Sequence, residues 1–148
     1  MPGAEVPLTT AVLDASVAVR WVVPEEGSER AADLLTRPIA WIAPRLMLTE
    51  VAGALRRKVV DGGLRAEIAS QSLDALVRAV SEGTVRLADD EEVVSAALLL
   101  ALTLDHKVPD CVYLALAERE GAGLVTADRR LDELARQRGV ASELVPSA

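Results

Sequence analysis

Short apolar runs of strand length alternate with longer stretches of helical period along this chain of 148 residues. That alternation restricts the fold more than any other feature. Strands separated by helices return to one sheet in parallel, and the helices cover both of its faces. The pattern predicts strands over residues 10–13, 39–42, 85–88 and 124–126, with a fifth over 142–145. It predicts helices over 16–22, 28–35, 45–61, 65–81, 93–104, 109–121 and 129–138. Local punctuation agrees with these limits. Pro24 stops the first helix, Ser28 is placed as the N-cap of the second, and Gly62-Gly63 and Gly83 follow the two long ones. Ala43-Pro44 ends the second strand, Asp89-Asp90-Glu91-Glu92 reads as a dipole-favoured helix start, and Pro109 suits a first helical position. The expectation is a single-domain three-layer α/β/α sandwich with a central, mainly parallel sheet. It spans residues 10–146 after an N-terminal lead over 1–9.

Composition decides what fills that sandwich and what chemistry it can carry. Hydrophobic residues make up 51% of the chain but aromatics only 2%, so the core is aliphatic, with Trp21, Trp41 and Tyr113 as its few large pieces. The longest apolar stretch, 96–104, is interrupted by Thr103 and is too short to span a bilayer. The opening residues lack a basic segment followed by an apolar one, so a soluble cytoplasmic protein is expected. The helix over 93–104 is apolar on almost every face, which means it is wholly buried or partly given to a subunit contact. One cysteine, Cys111, excludes an internal disulfide and a cysteine-built metal site; it reads as a small packed helix residue. One histidine, His106, excludes a multi-histidine zinc site, and no Ser sits in a Gly-x-Ser-x-Gly context. The net charge of −7 argues against binding nucleic acid by general basicity, although acids concentrated at a metal site leave a nucleic-acid enzyme open.

Carboxylates remain. Asp14 closes the run Ala11-Val12-Leu13, and Asp128 follows Leu124-Val125-Thr126-Ala127. Glu50 lies among Leu46, Leu48 and Val51, and Asp110 opens the apolar helical stretch after Pro109. Stripping water from an unpartnered carboxylate is expensive, and four that converge repel one another and take up protons. A divalent cation resolves both problems, which points to phosphoryl chemistry. In an open parallel sheet such a site forms beyond the carboxyl ends of the strands, where strand order reverses, and Asp14 and Asp128 both lie just past a predicted strand end. Gly53 and Ala54 leave room above Glu50, and Asp110 extends the helical row of Tyr113, Leu114 and Ala117. Each acid also has a plainer reading. Asp14 and Asp128 suit N-caps, Asp110 suits a first-turn acid, and Glu50 suits a solvent-facing one. Capping, however, predicts no relation among the four.

At these residues the chain resembles the PIN-domain ribonucleases, and particularly the VapC-type toxins of toxin–antitoxin pairs. Val12-Leu13-Asp14-Ala15-Ser16 looks like the first acidic motif of that family, and Leu48-Thr49-Glu50-Val51 with Ala54-Leu55 is similar to its second. The run from Asp110 through Ala117 resembles the third, and the run from Leu124 through Leu131 the fourth. The likeness covers about residues 10–145, and it rests on the order and spacing of the motifs together. It implies a Mg²⁺-dependent endoribonuclease in which Mn²⁺ substitutes, with Asp14, Glu50, Asp110 and Asp128 as the catalytic, metal-binding acids. It further implies an RNA substrate, inhibition by a small cognate antitoxin and a homodimer. Ser16 and Thr126 become polar neighbours that hold a water or orient a carboxylate. Arg20, Arg129 and Arg130 become the cations nearest the RNA backbone, drawn from a wider set with Arg56, Arg57, Lys58 and Lys107. The expected chemistry is in-line attack by water, leaving a 5′-phosphate and a 3′-hydroxyl.

Two other classes compete with that reading. Another Mg²⁺-dependent phosphoryl-transfer domain, of receiver or phosphohydrolase type, also gathers acids at strand ends. A phosphohydrolase of that kind wants a second Asp two residues after the first, where this chain has Ser16. A non-catalytic scaffold would keep the acids for structure alone and would bind no metal tightly.

Overall fold

The computed structural model describes residues 8–23 and 28–145. Most of the expected N-terminal lead, the helix stop at Pro24 and residue 146 at the expected domain end lie outside those residues. Five strands, β1 (Thr10–Leu13), β2 (Ala40–Pro44), β3 (Val85–Ala88), β4 (Gly123–Thr126) and β5 (Ser142–Leu144), form one sheet in the order β3-β2-β1-β4-β5. Every neighbouring pair is parallel. The helices between them are α1 (Ala15–Val22), α2 (Ser28–Leu34), α3 (Leu46–Val60), α4 (Ala66–Ser81), α5 (Val94–Leu104), α6 (Val108–Glu120) and α7 (Arg129–Gln137). Right-handed crossovers set the layers. The chain steps one way from β1 to β3 and the other way from β3 through β4 to β5, so α1–α4 cover one face and α5–α7 the other. This is the expected three-layer sandwich.

Strand order reverses between β1 and β4, where Leu13 pairs with Val125. The Asp14 amide adds one more rung by donating to the Val125 carbonyl at 3.1 Å, so the first acid is fixed by the sheet ladder itself. Gly123 makes a close approach in β4. A Cβ there would run into the Leu8 side chain and lie 3.1 Å from the Ala141 carbonyl. Gly121 ends α6 in the left-handed region at φ 61°, with its amide returned to the last turn.

Several limits differ from those the sequence predicts. β2 runs on through Pro44, because Pro stands at the strand end and the Arg45 amide supplies the next bond to Ala88. Ser28 is the first residue of α2, not the cap before it, and its hydroxyl donates to the Val23 carbonyl. Val108, and not Pro109, is the first residue of α6. The acidic run forms a separate 3-10 turn over Asp90–Glu92, and its side chains serve other elements. Asp89 pairs with Arg45, Asp90 accepts from the Leu46 amide at the start of α3, and Glu92 pairs with Arg119.

The core is aliphatic, as composition requires, and Tyr113 is the largest fully buried side chain. Trp21 and Trp41 meet edge to face, with centroids 5.1 Å apart. In α6 every residue from Cys111 to Ala117 is buried, whereas α5 buries only Ala97, Leu100 and Ala101. Val94, Leu98, Leu99 and Leu102 of α5 are exposed, so the helix is not wholly buried. Among the described residues no helix is long and apolar enough to cross a membrane.

Candidate active site

Asp14 is almost fully buried, at 6% exposure, and occupies the N-cap position of α1 without capping it. Its Oδ2 instead accepts from the Ser16 hydroxyl at 2.5 Å and the Thr126 hydroxyl at 2.7 Å. Both hydroxyls are aimed by backbone. The Ala127 amide donates to Ser16 Oγ and the Asp128 amide to Thr126 Oγ1, each at 2.9 Å. The hydroxyls therefore have their protons directed at one carboxylate oxygen, and Asp14 is oriented from both sides of the β1–β4 junction.

Asp128 shows the opposite behaviour. Its Oδ1 accepts from the Arg130 amide at 2.9 Å and the Leu131 amide at 3.3 Å, which is true N-capping of α7. The plainer reading thus holds for one oxygen of Asp128 and fails for Asp14. Asp110 lies in the first turn of α6, and its Oδ2 is 2.7 Å from His106 Nε2 and 3.8 Å from Lys107 Nζ. Glu50 sits in the second turn of α3 and is half-buried, not solvent-facing. Its Oε1 accepts from the Tyr113 hydroxyl at 2.6 Å.

Electrostatics join the four acids. Burial raises the Asp14 carboxyl, the Ser16 and Thr126 hydroxyls oppose that, and the charges of Asp110 and Asp128 raise it further. Burial also raises Glu50, Tyr113 opposes it, Asp14 and Asp110 raise it, and Lys107 lowers it. Burial, followed by the charges of Asp14 and Glu50, drives the Tyr113 phenol far above its ordinary range, so it acts only as a neutral donor. Burial raises the Cys111 thiol, which fits the packed role expected of it. Acids that lie up to 114 positions apart along the chain (Asp14 to Asp128) thus press on one another at the switch point. Three of them stand at or near helix amino ends, whose partial positive charge favours anions there.

Whether this donor set suits a metal can be judged from what each carboxylate leaves open. Among the described residues, Asp14 Oδ1, Glu50 Oε2, Asp110 Oδ1 and Asp128 Oδ2 accept no hydrogen bond, and none is a sealed, partnerless atom. All four are oxygens, the ligand type of Mg²⁺ and Mn²⁺. As they stand, no three acid, histidine or cysteine side chains among the described residues close tightly enough to hold an ion. The chemistry of the set fits a hard cation.

The predicted cations divide. Arg20 reaches the Val145 carbonyl at 3.4 Å, and Arg130 pairs with Glu133 at 3.5 Å along α7, so both have duties within the fold. Arg129 is exposed at the first position of α7, beside Asp128. Lys107 is exposed next to Asp110, a better-placed cation than Arg20. Tyr113 and His106 are the site residues that sequence reasoning missed. Tyr113 had a visible signal: a lone tyrosine on the helical row of Asp110, whose hydroxyl needs a partner once buried. Cavities of about 560 and 500 Å³ open at the amino ends of the strands, and neither is lined by any of the four acids. The acid cluster is the better candidate, because parallel sheets gather ligands at the opposite end.

A PIN-domain family model matches residues 11–137, a span that contains all four acids. The chain belongs to the PIN-domain family. Ribonuclease VapC3 of Pyrobaculum aerophilum is 35% identical over 122 residues, covering 82% of this PIN-domain chain and 92% of that relative. The crystal structure of PAE2754 from Pyrobaculum aerophilum gives a TM-score of 0.69 at 20% identity, covering 90% of this chain and 83% of that one. A chain of a toxin–antitoxin complex from Klebsiella pneumoniae gives 0.58 at 15% identity, covering 80% and 86%. These structural likenesses are of fold, and they agree with a PIN-domain sandwich.

Proposed function

We propose that this PIN-domain chain is a Mg²⁺-dependent endoribonuclease, with Mn²⁺ able to substitute, acting in the cytoplasm as the toxin of a toxin–antitoxin pair. One observation carries the reading. Four carboxylates from separate elements share an electrostatic neighbourhood at the switch point of a chain 35% identical to a ribonuclease. A receiver or phosphohydrolase domain would want a second acid where Ser16 instead donates to Asp14.

Asp14, Glu50, Asp110 and Asp128 would hold the ion through the oxygens they leave open. When bound, a hard divalent cation offsets carboxylate repulsion, makes water easier to deprotonate and stabilises charge on the phosphate oxygens. The chain's own groups supply orientation. Ser16 and Thr126 fix the Asp14 carboxylate, the α7 amides fix that of Asp128, and His106 and Lys107 flank Asp110. Water attacks the phosphorus in line with the departing 3′ oxygen and leaves a 5′-phosphate. No protein nucleophile takes part. Lys107 and Arg129 are the exposed cations beside the acids and meet the RNA backbone, whereas Arg20 and Arg130 contribute at longer range.

The antitoxin is a basic, partly disordered segment that sets Arg against the same carboxylates. Two copies pair through α5, where Val94, Leu98 and Leu102 recur every four residues on one exposed apolar stripe.

The test is cleavage of a defined RNA panel with Mn²⁺, with chelator, and with Asp110→Asn. Cleavage should need the metal, and Asp110→Asn should lower it by more than ~100-fold, beyond the usual cost of losing an outer-shell partner. Equal cleavage in chelator would sink the metal mechanism, and absence of both cleavage and Mn²⁺ binding would favour the scaffold.

A further inference from the structure

Tyr113 joins α6 to α3 through a side-chain bond that spans 63 positions of the sequence. It projects from α6, is fully buried, and donates to Glu50 Oε1 of α3 at 2.6 Å.

We infer that Tyr113 is a positioning residue that holds Glu50 at a fixed separation from Asp14, so that the two acids can share a cation. This rests on the metal-dependent reading above. Glu50 is a half-buried side chain facing the like charges of Asp14 and Asp110. Without a tether it would turn away to lessen that repulsion and would have to be reordered whenever a cation bound. The tether crosses between the two helical layers, so no residue near Glu50 in sequence can replace it. The hydroxyl itself lies where no solvent reaches.

Tyr113→Phe keeps the ring and removes the hydroxyl. Mn²⁺ affinity, followed by electron paramagnetic resonance without RNA, should weaken by about 10-fold or more, the effect of losing an outer-shell partner. Removing the hydroxyl in a Glu50→Gln background should change affinity by less than ~2-fold, because both changes act through one interaction. A Tyr113→Phe protein that melts earlier yet binds Mn²⁺ like the parent overturns the inference, as do two effects that simply add. A second readout leaves the fold untouched. The chain has one tyrosine, so 3-fluorotyrosine labels that ring alone. Its fluorine resonance should move on Mg²⁺ addition with the same midpoint as metal binding, and a resonance that stays still at saturation overturns the inference. A parent protein that binds no Mn²⁺ overturns the metal reading and this inference together. Normal binding by the parent and by Tyr113→Phe overturns this inference alone.

Discussion

Helices α5 and α6 follow one another in the chain and pack together, yet the more apolar of the two is the more exposed. α5 carries no charged residue and leaves Val94, Leu98, Leu99 and Leu102 in solvent. α6 carries Asp110, Glu118, Arg119 and Glu120, and buries every residue from Cys111 to Ala117. Topology decides this, not hydropathy. The crossover from β3 to β4 lays α6 across β2, β1 and β4, beneath the switch point, and packs α5 against α6. A helix wedged against three strands is a rigid platform, and it supplies both Asp110 and Tyr113 to the site. A helix with an uncovered apolar stripe supplies a surface for another chain.

Truncating the platform should do the most harm. Leu114 is fully buried in α6, so Leu114→Ala should cost about 2–5 kcal/mol by denaturant unfolding. A cost like that of a surface change would break the contrast at its strong end. The charge α6 contributes should be visible at Asp14. Burial and the neighbouring acids raise that carboxyl, so the folded chain binds its proton more tightly than the unfolded chain does. The stability so gained is complete below the ordinary value of 3.8 and is lost as pH rises through the raised one. Asp14→Asn in chelator should therefore melt above the parent at pH 8, with a smaller gap at pH 5. A gap that widens toward acid would reverse the sign. The smallest stability effect belongs to α5. Leu102→Glu should shift unfolding of the single chain by no more than ~0.5 kcal/mol, while sedimentation shows the paired form lost. Unfolding as severe as that of Leu114→Ala would erase the difference between the helices.

What could be read from the residues was local. Asp14 and Asp128 announce themselves because each ends an apolar strand run, and the alternation of strands and helices dictates a parallel sandwich. Hydrogen bonds across long sequence separations were not legible. Asp90 resembles the start of the helix after it, but it accepts from the amide of Leu46, which precedes it by 44 positions. Arg20 reads as a free cation, but it reaches a carbonyl 125 residues away. The face of α3 that bears Glu50 was ambiguous, because apolar residues surround it at Leu46, Leu48 and Val51. The buried stripe of Met47, Val51 and Leu55 turns Glu50 toward Tyr113, and that depends on which neighbour packs below. The exposure of α5 was open for the same reason: its composition permits both burial and pairing, and only the order of the strands decides.

The central claim is that Asp14, Glu50, Asp110 and Asp128 make one cation site. Anomalous scattering from crystals soaked in Mn²⁺ tests it directly. The account predicts a Mn²⁺ peak bounded by carboxylate oxygens of Asp14 and Asp110 at the carboxyl ends of β1 and β4. A peak confined to other acids, such as the run from Asp89 to Glu92, or no peak at saturating Mn²⁺, would contradict it.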